Sequence, residues 1–249
     1  MRHRIFSLLA GLMLVLPAFA TGHELWFESA DEGLVLWRGH GHEAAGHDSA
    51  QHGSSKGDSP EHGDTNAPCP VEEFLQATVL ESGGSLRIIS PGEIFPSIWP
   101  SDAQALAVTV SSGIWTKTPL GTINKPRNRV ESPLTSWRSI EGLKLIRSWD
   151  PALALPMGNY LEITPLDNLL NMKIGAKLKV LVSRHGEPVV GAVVTYDGNP
   201  RGMTGPDGRI NIRLKSNGRQ TIGASLTIPL PDEEIDEIIS TARMEFFLE

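Results

Sequence analysis

Short runs of β-branched and aliphatic residues, separated by glycine, proline and asparagine, dominate this chain. Eleven runs of four to eight residues have this character. Strands of this length with turn residues between them are typical of β-sandwiches, so the sequence predicts an all-β protein. The predicted strands are Glu24–Ser29, Leu34–Trp37, Gln76–Leu80, Leu86–Ser90, Ala105–Val110, Tyr160–Thr164, Lys177–Ser183, Val189–Tyr196, Arg209–Leu214, Gln220–Leu226 and Ala242–Leu248.

Helix is expected in two short segments only. Thr135–Leu143 is a candidate for one or two helical turns. Asp232–Ile239, which is acidic and follows Pro231, is a candidate for a short helix.

The second half of the chain gives the clearer domain signal. An apolar run follows the turn at Gly186, and Ile210, Ile212 and Leu214 alternate with polar residues after the Asp207-Gly208 turn. This pattern predicts an immunoglobulin-like or transthyretin-like module over 159–249. Residues 21–158 are predicted to form a second β-sandwich-like domain.

Residues 1–20 have the pattern of an export signal. Arg2 and Arg4 precede the apolar run Ile5–Leu16, and Ala18-Phe19-Ala20 is an A-x-A cleavage site. The run is too short to span a bilayer, and no later segment is long enough, so no stable membrane insertion is expected. Cleavage near Ala20 predicts an exported protein, in the simplest interpretation a periplasmic one.

The charge balance is acidic. The formal net charge is −7, and loss of Arg2 and Arg4 with the signal makes it −9. An acidic surface argues against nucleic acid and anionic membranes as partners and is compatible with attraction of cations.

Five of the eight histidines lie in the segment 39–68. This segment contains no Leu, Ile, Val, Met, Phe, Tyr or Trp, so it cannot form a core and is expected to be a long flexible loop. Neutral imidazole is the commonest protein ligand for Zn, Cu, Ni and Co, and acidic residues among the histidines could add oxygen ligands. The alternative is a solvated linker without function. The candidate metal ligands are His40, His42, His47, His52 and His62.

The predicted new N-terminus offers a further ligand. Cleavage after Ala20 leaves Thr21-Gly22-His23, in which the amine, two backbone amides and the imidazole can form a square-planar nitrogen set that suits Cu(II) or Ni(II). Cleavage after Gly22 would instead make His23 the first residue. The alternative is that His23 only begins a strand. His185, in a tight turn, is expected to be exposed and without a ligand role.

Catalysis is not indicated. The two histidines of His42-Glu43-Ala44-Ala45-Gly46-His47 are one residue too far apart for a zinc-protease helix. The phosphate-loop and dinucleotide motifs are missing from the sequence. Cys69 is the single cysteine, so it can form no internal disulfide. Cys69 could act as a thiolate metal ligand or be an inert thiol, and the sequence leaves both roles open.

Several stretches together resemble a bacterial family of exported domains of unknown function, described as periplasmic components of cobalt/nickel uptake systems. They are His23–Trp26, Gly39–His42, Ser112–Pro119, Trp149–Ala154, Leu161–Leu166 and the turn and strand over 205–212. The resemblance covers essentially the whole mature chain. It implies a two-domain β protein in which an N-terminal histidine and a histidine-bearing loop, here His23, His40 and His42, serve Ni or Co acquisition.

These observations lead to one expected function and two alternatives. The expected function is periplasmic binding of a divalent transition metal, Ni²⁺ or Co²⁺ first, for delivery to a membrane importer. The first alternative is a copper or zinc buffer, since nitrogen ligands favour Cu²⁺ over Ni²⁺ and Co²⁺. The second is a structural or adhesion β-sandwich without a metal role.

Overall fold

The protein is an all-β molecule, as the sequence predicts. The computed structural model describes residues 24–30, 33–39, 66–90 and 103–249, and within these ranges it contains no α-helix, only short 3-10 turns. The strands are β1 (Glu24–Ala30), β2 (Gly33–Gly39), β3 (Ala67–Pro68), β4 (Phe74–Leu80), β5 (Leu86–Ile89), β6 (Ala105–Thr118), β7 (Gly121–Ile123), β8 (Thr135–Ile146), β9 (Leu161–Pro165), β10 (Lys177–Arg184), β11 (Glu187–Pro188), β12 (Val193–Tyr196), β13 (Asn199–Met203), β14 (Arg209–Arg213), β15 (Gly218–Pro229) and β16 (Glu237–Leu248). The 3-10 turns are Val71–Glu73, Arg127–Arg129, Pro151–Ala154 and Leu169–Asn171.

A nine-stranded sheet forms the centre of the structure. Its strand order is β13-β12-β15-β16-β8-β6-β4-β5, and β7 adds to β6. All its pairs are antiparallel except β8 with β16, where Trp137 lies opposite Glu237. The sheet therefore includes strands from both sides of the predicted boundary between residues 158 and 159. The division into two domains remains a prediction.

Two smaller sheets cover opposite faces of this central sheet. Along β6, Ala105 and Ala107 belong to one apolar core, whereas Leu106 and Val108 belong to the other. Alternate residues of a strand point to opposite faces, so the two cores lie on the two sides of the sheet. The first core packs against a four-stranded sheet of β9, β10, β11 and β14, and the second against a three-stranded sheet of β1, β2 and β3.

Both predicted helical segments are wrong. Thr135–Leu143 lies within β8, where Trp137, Ile140 and Leu143 have a spacing that imitates a helix. The backbone of β8 is hydrogen-bonded to β6 on one edge and to β16 on the other, and this pairing overrides the local pattern. Asp232–Ile239 forms a turn and then enters β16. In that turn the Asp232 carboxylate accepts the backbone N–H groups of Glu234 and Ile235.

The glycine-containing turns of the second half agree with the sequence. His185 and Gly186 both have positive φ, 51° and 85°, and link β10 to β11 by a two-residue hairpin turn. At Gly208 a Cβ atom would lie 2.9 Å from the carbonyl oxygen of Val182 and the Cβ of Pro188, so only glycine fits. The first turn sets the pairing of β10 with β11, and the absence of a side chain at Gly208 lets the chain before β14 lie against Val182 of β10.

Candidate metal site

The three-stranded sheet brings together the chain positions next to the predicted ligands. Glu24, the first residue of β1, lies opposite Gly39, the last residue of β2. Arg38 in turn lies opposite Ala67 of β3. The start of β1 and the described residues on either side of the segment 40–65 therefore lie at the same end of this sheet, a juxtaposition that the sequence alone does not predict.

The six predicted ligands themselves lie outside the described residues: His23, His40, His42, His47, His52 and His62. Within the part of the chain that the structure describes, no group of three or more His, Cys, Asp or Glu is placed to hold a metal ion. The metal site consequently remains a prediction. The structure gives only the positions of the neighbouring residues Glu24, Gly39 and Asn66.

The two described residues that flank the segment 40–65, Gly39 and Asn66, are packed against each other. A Cβ atom added at Gly39 would clash with the side chain of Asn66 and would lie 3.0 Å from its Cα. The absence of a side chain at Gly39 thus permits this close approach. Cys69, just beyond, donates its backbone N–H to the Leu36 carbonyl oxygen at 2.8 Å and extends the contact between the two strands.

The start of β1 is also held from outside its own sheet. Arg243 of β16 contacts the Glu24 carboxylate, with Nη2 2.6 Å from Oε1. The Glu24 side chain remains 45 % exposed, and Arg243 lies 3.8 Å from Glu245 as well. This ion pair ties the residue after His23 to the central sheet.

At the end of β2 lies a partly buried group of polar side chains that the sequence did not indicate. Arg38 forms an ion pair with Glu73, and the Cys69 thiol donates to the same Glu73 carboxylate at 3.6 Å. Burial, followed by the negative charge of Glu73, raises the pKa of the Cys69 thiol to about 12. At neutral pH Cys69 is therefore a protonated core residue, 2 % exposed, which favours the inert thiol over the thiolate ligand.

Glu141 of β8 completes this buried region. Its Oε1 accepts hydrogen bonds from Ser112 at 3.0 Å and from Ser139 at 2.9 Å, whereas Oε2 has no partner among the described residues. Burial is the largest cause that raises the pKa of this carboxyl. Only the fold could reveal this group, because a lone Glu-Gly in an apolar run carries no pairing signal.

His185 lies where the sequence placed it, in an exposed turn. Its ring meets the Tyr160 ring edge-on, with 4.8 Å between centroids. It is well suited as a control residue, because it is an imidazole on the turn between β10 and β11, remote in the fold from β1 and β2.

No described segment forms a helix that is long and apolar enough to cross a bilayer. Comparison of the chain with protein-family models, curated proteins and solved structures finds no match. The likeness to the exported metal-uptake domains therefore stays a prediction from the sequence.

Proposed function

We propose that this protein is exported to the periplasm, binds a divalent transition metal ion there, Ni²⁺ or Co²⁺ in preference, and delivers it to an uptake system. The single observation that carries the proposal is the pairing of Glu24 with Gly39. His23 precedes the first of these residues and His40 follows the second. Each of these histidines is thus bonded directly to one member of the pair, and consecutive Cα atoms are about 3.8 Å apart along a chain.

A site of this kind would combine two types of ligand. The imidazoles of His23, His40 and His42, with the N-terminal amine, would hold one ion tightly. The imidazoles of His47, His52 and His62 would collect ions by weaker, exchangeable contacts. Because a protonated imidazole cannot bind a metal, the affinity should fall as the pH decreases through the imidazole range.

Calorimetric titration of the mature protein with Ni²⁺, Co²⁺, Cu²⁺ and Zn²⁺ tests the proposal. The comparison variant lacks residues 40–62 and carries His23→Ala. The deletion leaves Gly63-Asp64-Thr65 between Gly39 and Asn66, and a three-residue connection is long enough to join the paired strands β2 and β3. The described sheet should therefore be preserved.

The matched control is His185→Asn, which removes an exposed imidazole and suits the positive φ of that position. We expect wild type and control to bind alike and the deletion variant to lose the tight site. Equal binding by all three proteins would refute the proposal. A preference for Cu²⁺ or Zn²⁺, with importance under metal excess rather than starvation, would indicate a buffer instead of an uptake component.

A further inference from the structure

A strongly basic face lies on the exposed side of the four-stranded sheet. Along β10, Leu178 and Val180 are buried in the core, so Lys177 and Lys179 point outward and are exposed. Arg209 and Arg213 of β14 are exposed on the same side. We call the following set the basic face: Lys173, Lys177, Lys179, Arg209 and Arg213.

Two cations of this face lie directly opposite each other. Lys177 is the register partner of Arg213, and like charges in this position destabilise a strand pair. No carboxylate of the described residues forms an ion pair with Lys173, Lys177, Lys179 or Arg213. The nearest acidic residues along the chain are Asp167 after β9, Glu187 of β11 and Asp207, whose Oδ2 lies 3.8 Å from Arg209 Nε.

This concentration of charge is opposite in sign to the protein as a whole. The chain carries a net charge of −7, yet the basic face contains five positively charged side chains, of which only Arg209 lies near a described carboxylate, that of Asp207. A net charge averages over the entire surface, whereas a charged partner responds to the local field within about 10 Å at ordinary ionic strength. The acidic composition therefore does not exclude an anionic partner for this particular face.

An exposed apolar side chain stands at one end of the face. Ile174 is 55 % exposed and follows Lys173, and the carbonyl oxygen of the next residue, Gly175, accepts a hydrogen bond from Arg213 at 2.7 Å. Lysine side chains around a protruding aliphatic residue suit a surface of anionic headgroups over hydrocarbon, since the cations meet the headgroups and the aliphatic side chain can enter the boundary region.

We propose that the basic face docks this protein peripherally on an anionic lipid bilayer. The four-stranded and three-stranded sheets cover opposite faces of the central sheet, so a bilayer beneath β10 and β14 would leave Gly39 and Asn66 on the far side, toward the aqueous compartment. The proposal is independent of metal binding, because none of its residues belongs to the predicted metal site.

Flotation of the mature protein with vesicles tests this docking. One set of vesicles contains phosphatidylcholine only, and the other contains one third phosphatidylglycerol. We expect binding to the second set alone, and release at high salt. The double variant Lys177→Gln/Lys179→Gln should lower the partition coefficient about 30-fold, since each basic residue near an anionic surface contributes about fivefold.

The matched control is Lys117→Gln/Lys125→Gln, which changes the net charge equally at exposed lysines of another region. The control should bind like wild type. Absence of binding to the anionic vesicles, or an equal loss in both double variants, would overturn the proposal. If the wild type is retained on poly-glutamate beads at physiological salt as strongly as on the anionic vesicles, the basic face would be assigned to an acidic polypeptide, and the membrane proposal would be overturned. Thermal unfolding of both variants checks that they are folded.

Discussion

Lys144 of β8 and Glu162 of β9 form an ion pair that is almost completely removed from solvent, with side chains 3 % and 2 % exposed. The Glu162 carboxylate also accepts the backbone N–H groups of Met157, Gly158 and Asn159 at 2.8–3.2 Å. One carboxylate thus connects the central sheet, the strand β9 and the turn before it. Its role in this structure is to fix how the four-stranded sheet packs.

Loss of one partner of this pair should be costly. Lys144→Met leaves the Glu162 charge buried without its cation, and we expect a loss of about 3–5 kcal/mol in unfolding free energy. The double variant Lys144→Met/Glu162→Gln should recover part of the loss, because it removes the buried charge and keeps one oxygen that accepts backbone N–H groups, whereas the amide NH2 group lacks an acceptor there. Denaturant unfolding measures both. If the unfolding free energy of Lys144→Met were within about 1 kcal/mol of the wild-type value, this account would be contradicted.

Glu141 should make the stability depend on pH in an unusual direction. Because burial raises its folded-state pKa above the unfolded value, the folded protein binds this proton more tightly. The contribution of Glu141 to stability therefore decreases as the pH rises from the unfolded pKa through the folded one. We expect the unfolding free energy of Glu141→Gln, relative to that of wild type, to be higher at pH 7 than at pH 4.

Denaturant unfolding of wild type and Glu141→Gln at the two pH values gives this difference, and the other carboxylates affect both proteins alike. Glu131→Gln, at an exposed glutamate, is the control for the loss of one negative charge at the surface. A pH-independent effect of Glu141→Gln would show that the carboxyl titrates normally.

Cys69 should be almost unreactive in the folded protein. A thiol pKa of about 12 leaves about a thousandfold less thiolate at neutral pH than an ordinary cysteine has, and burial restricts access further. Labelling with a thiol reagent should therefore be at least a thousandfold slower than for free cysteine and should become fast in denaturant. Glu73→Gln should increase the native rate in part, because it removes the neighbouring negative charge. Rapid labelling of native wild type would refute the buried position.

Arg243 should influence metal binding without a large effect on stability. Arg243→Ala releases the carboxylate of Glu24, and since this surface pair is partly exposed we expect a stability loss below about 1 kcal/mol. If His23 contributes to the tight site, the Ni²⁺ affinity should fall roughly tenfold, as it does on loss of an outer-shell contact. Calorimetry measures the change.

Arg219→Ala is the matched control for Arg243→Ala. Arg219 of β15 forms an ion pair with Glu245 of β16, with Nη2 2.8 Å from Oε1, and forms no ion pair with Glu24. It should leave the Ni²⁺ affinity unchanged. An identical affinity for both variants and wild type would show that the position of β1 does not matter for the site.

The sequence by itself determined the class of fold and most of the strands. Short β-branched runs with turn residues between them predict strands because the branched side chains fit a pleated surface and glycine permits positive φ at the turns. Ten of the predicted runs overlap closely with observed strands. The eleventh, Val189–Tyr196, shortens to β12, because residues 189–192 form a loop in which Gly191 takes a positive φ.

Only the tertiary structure decided how distant residues meet. Thr135–Leu143 becomes a strand because β6 and β16 pair with its two edges, and Glu141 and Lys144 become buried because two sheets cover the central one from opposite sides. The sequence likewise gave an acidic net charge but not the basic face, since strand register places Lys177 against Arg213 across a separation of 36 residues. Local propensity acts over a few residues, whereas charge clusters, burial and the meeting of Glu24 with Gly39 depend on long-range pairing that no local pattern encodes.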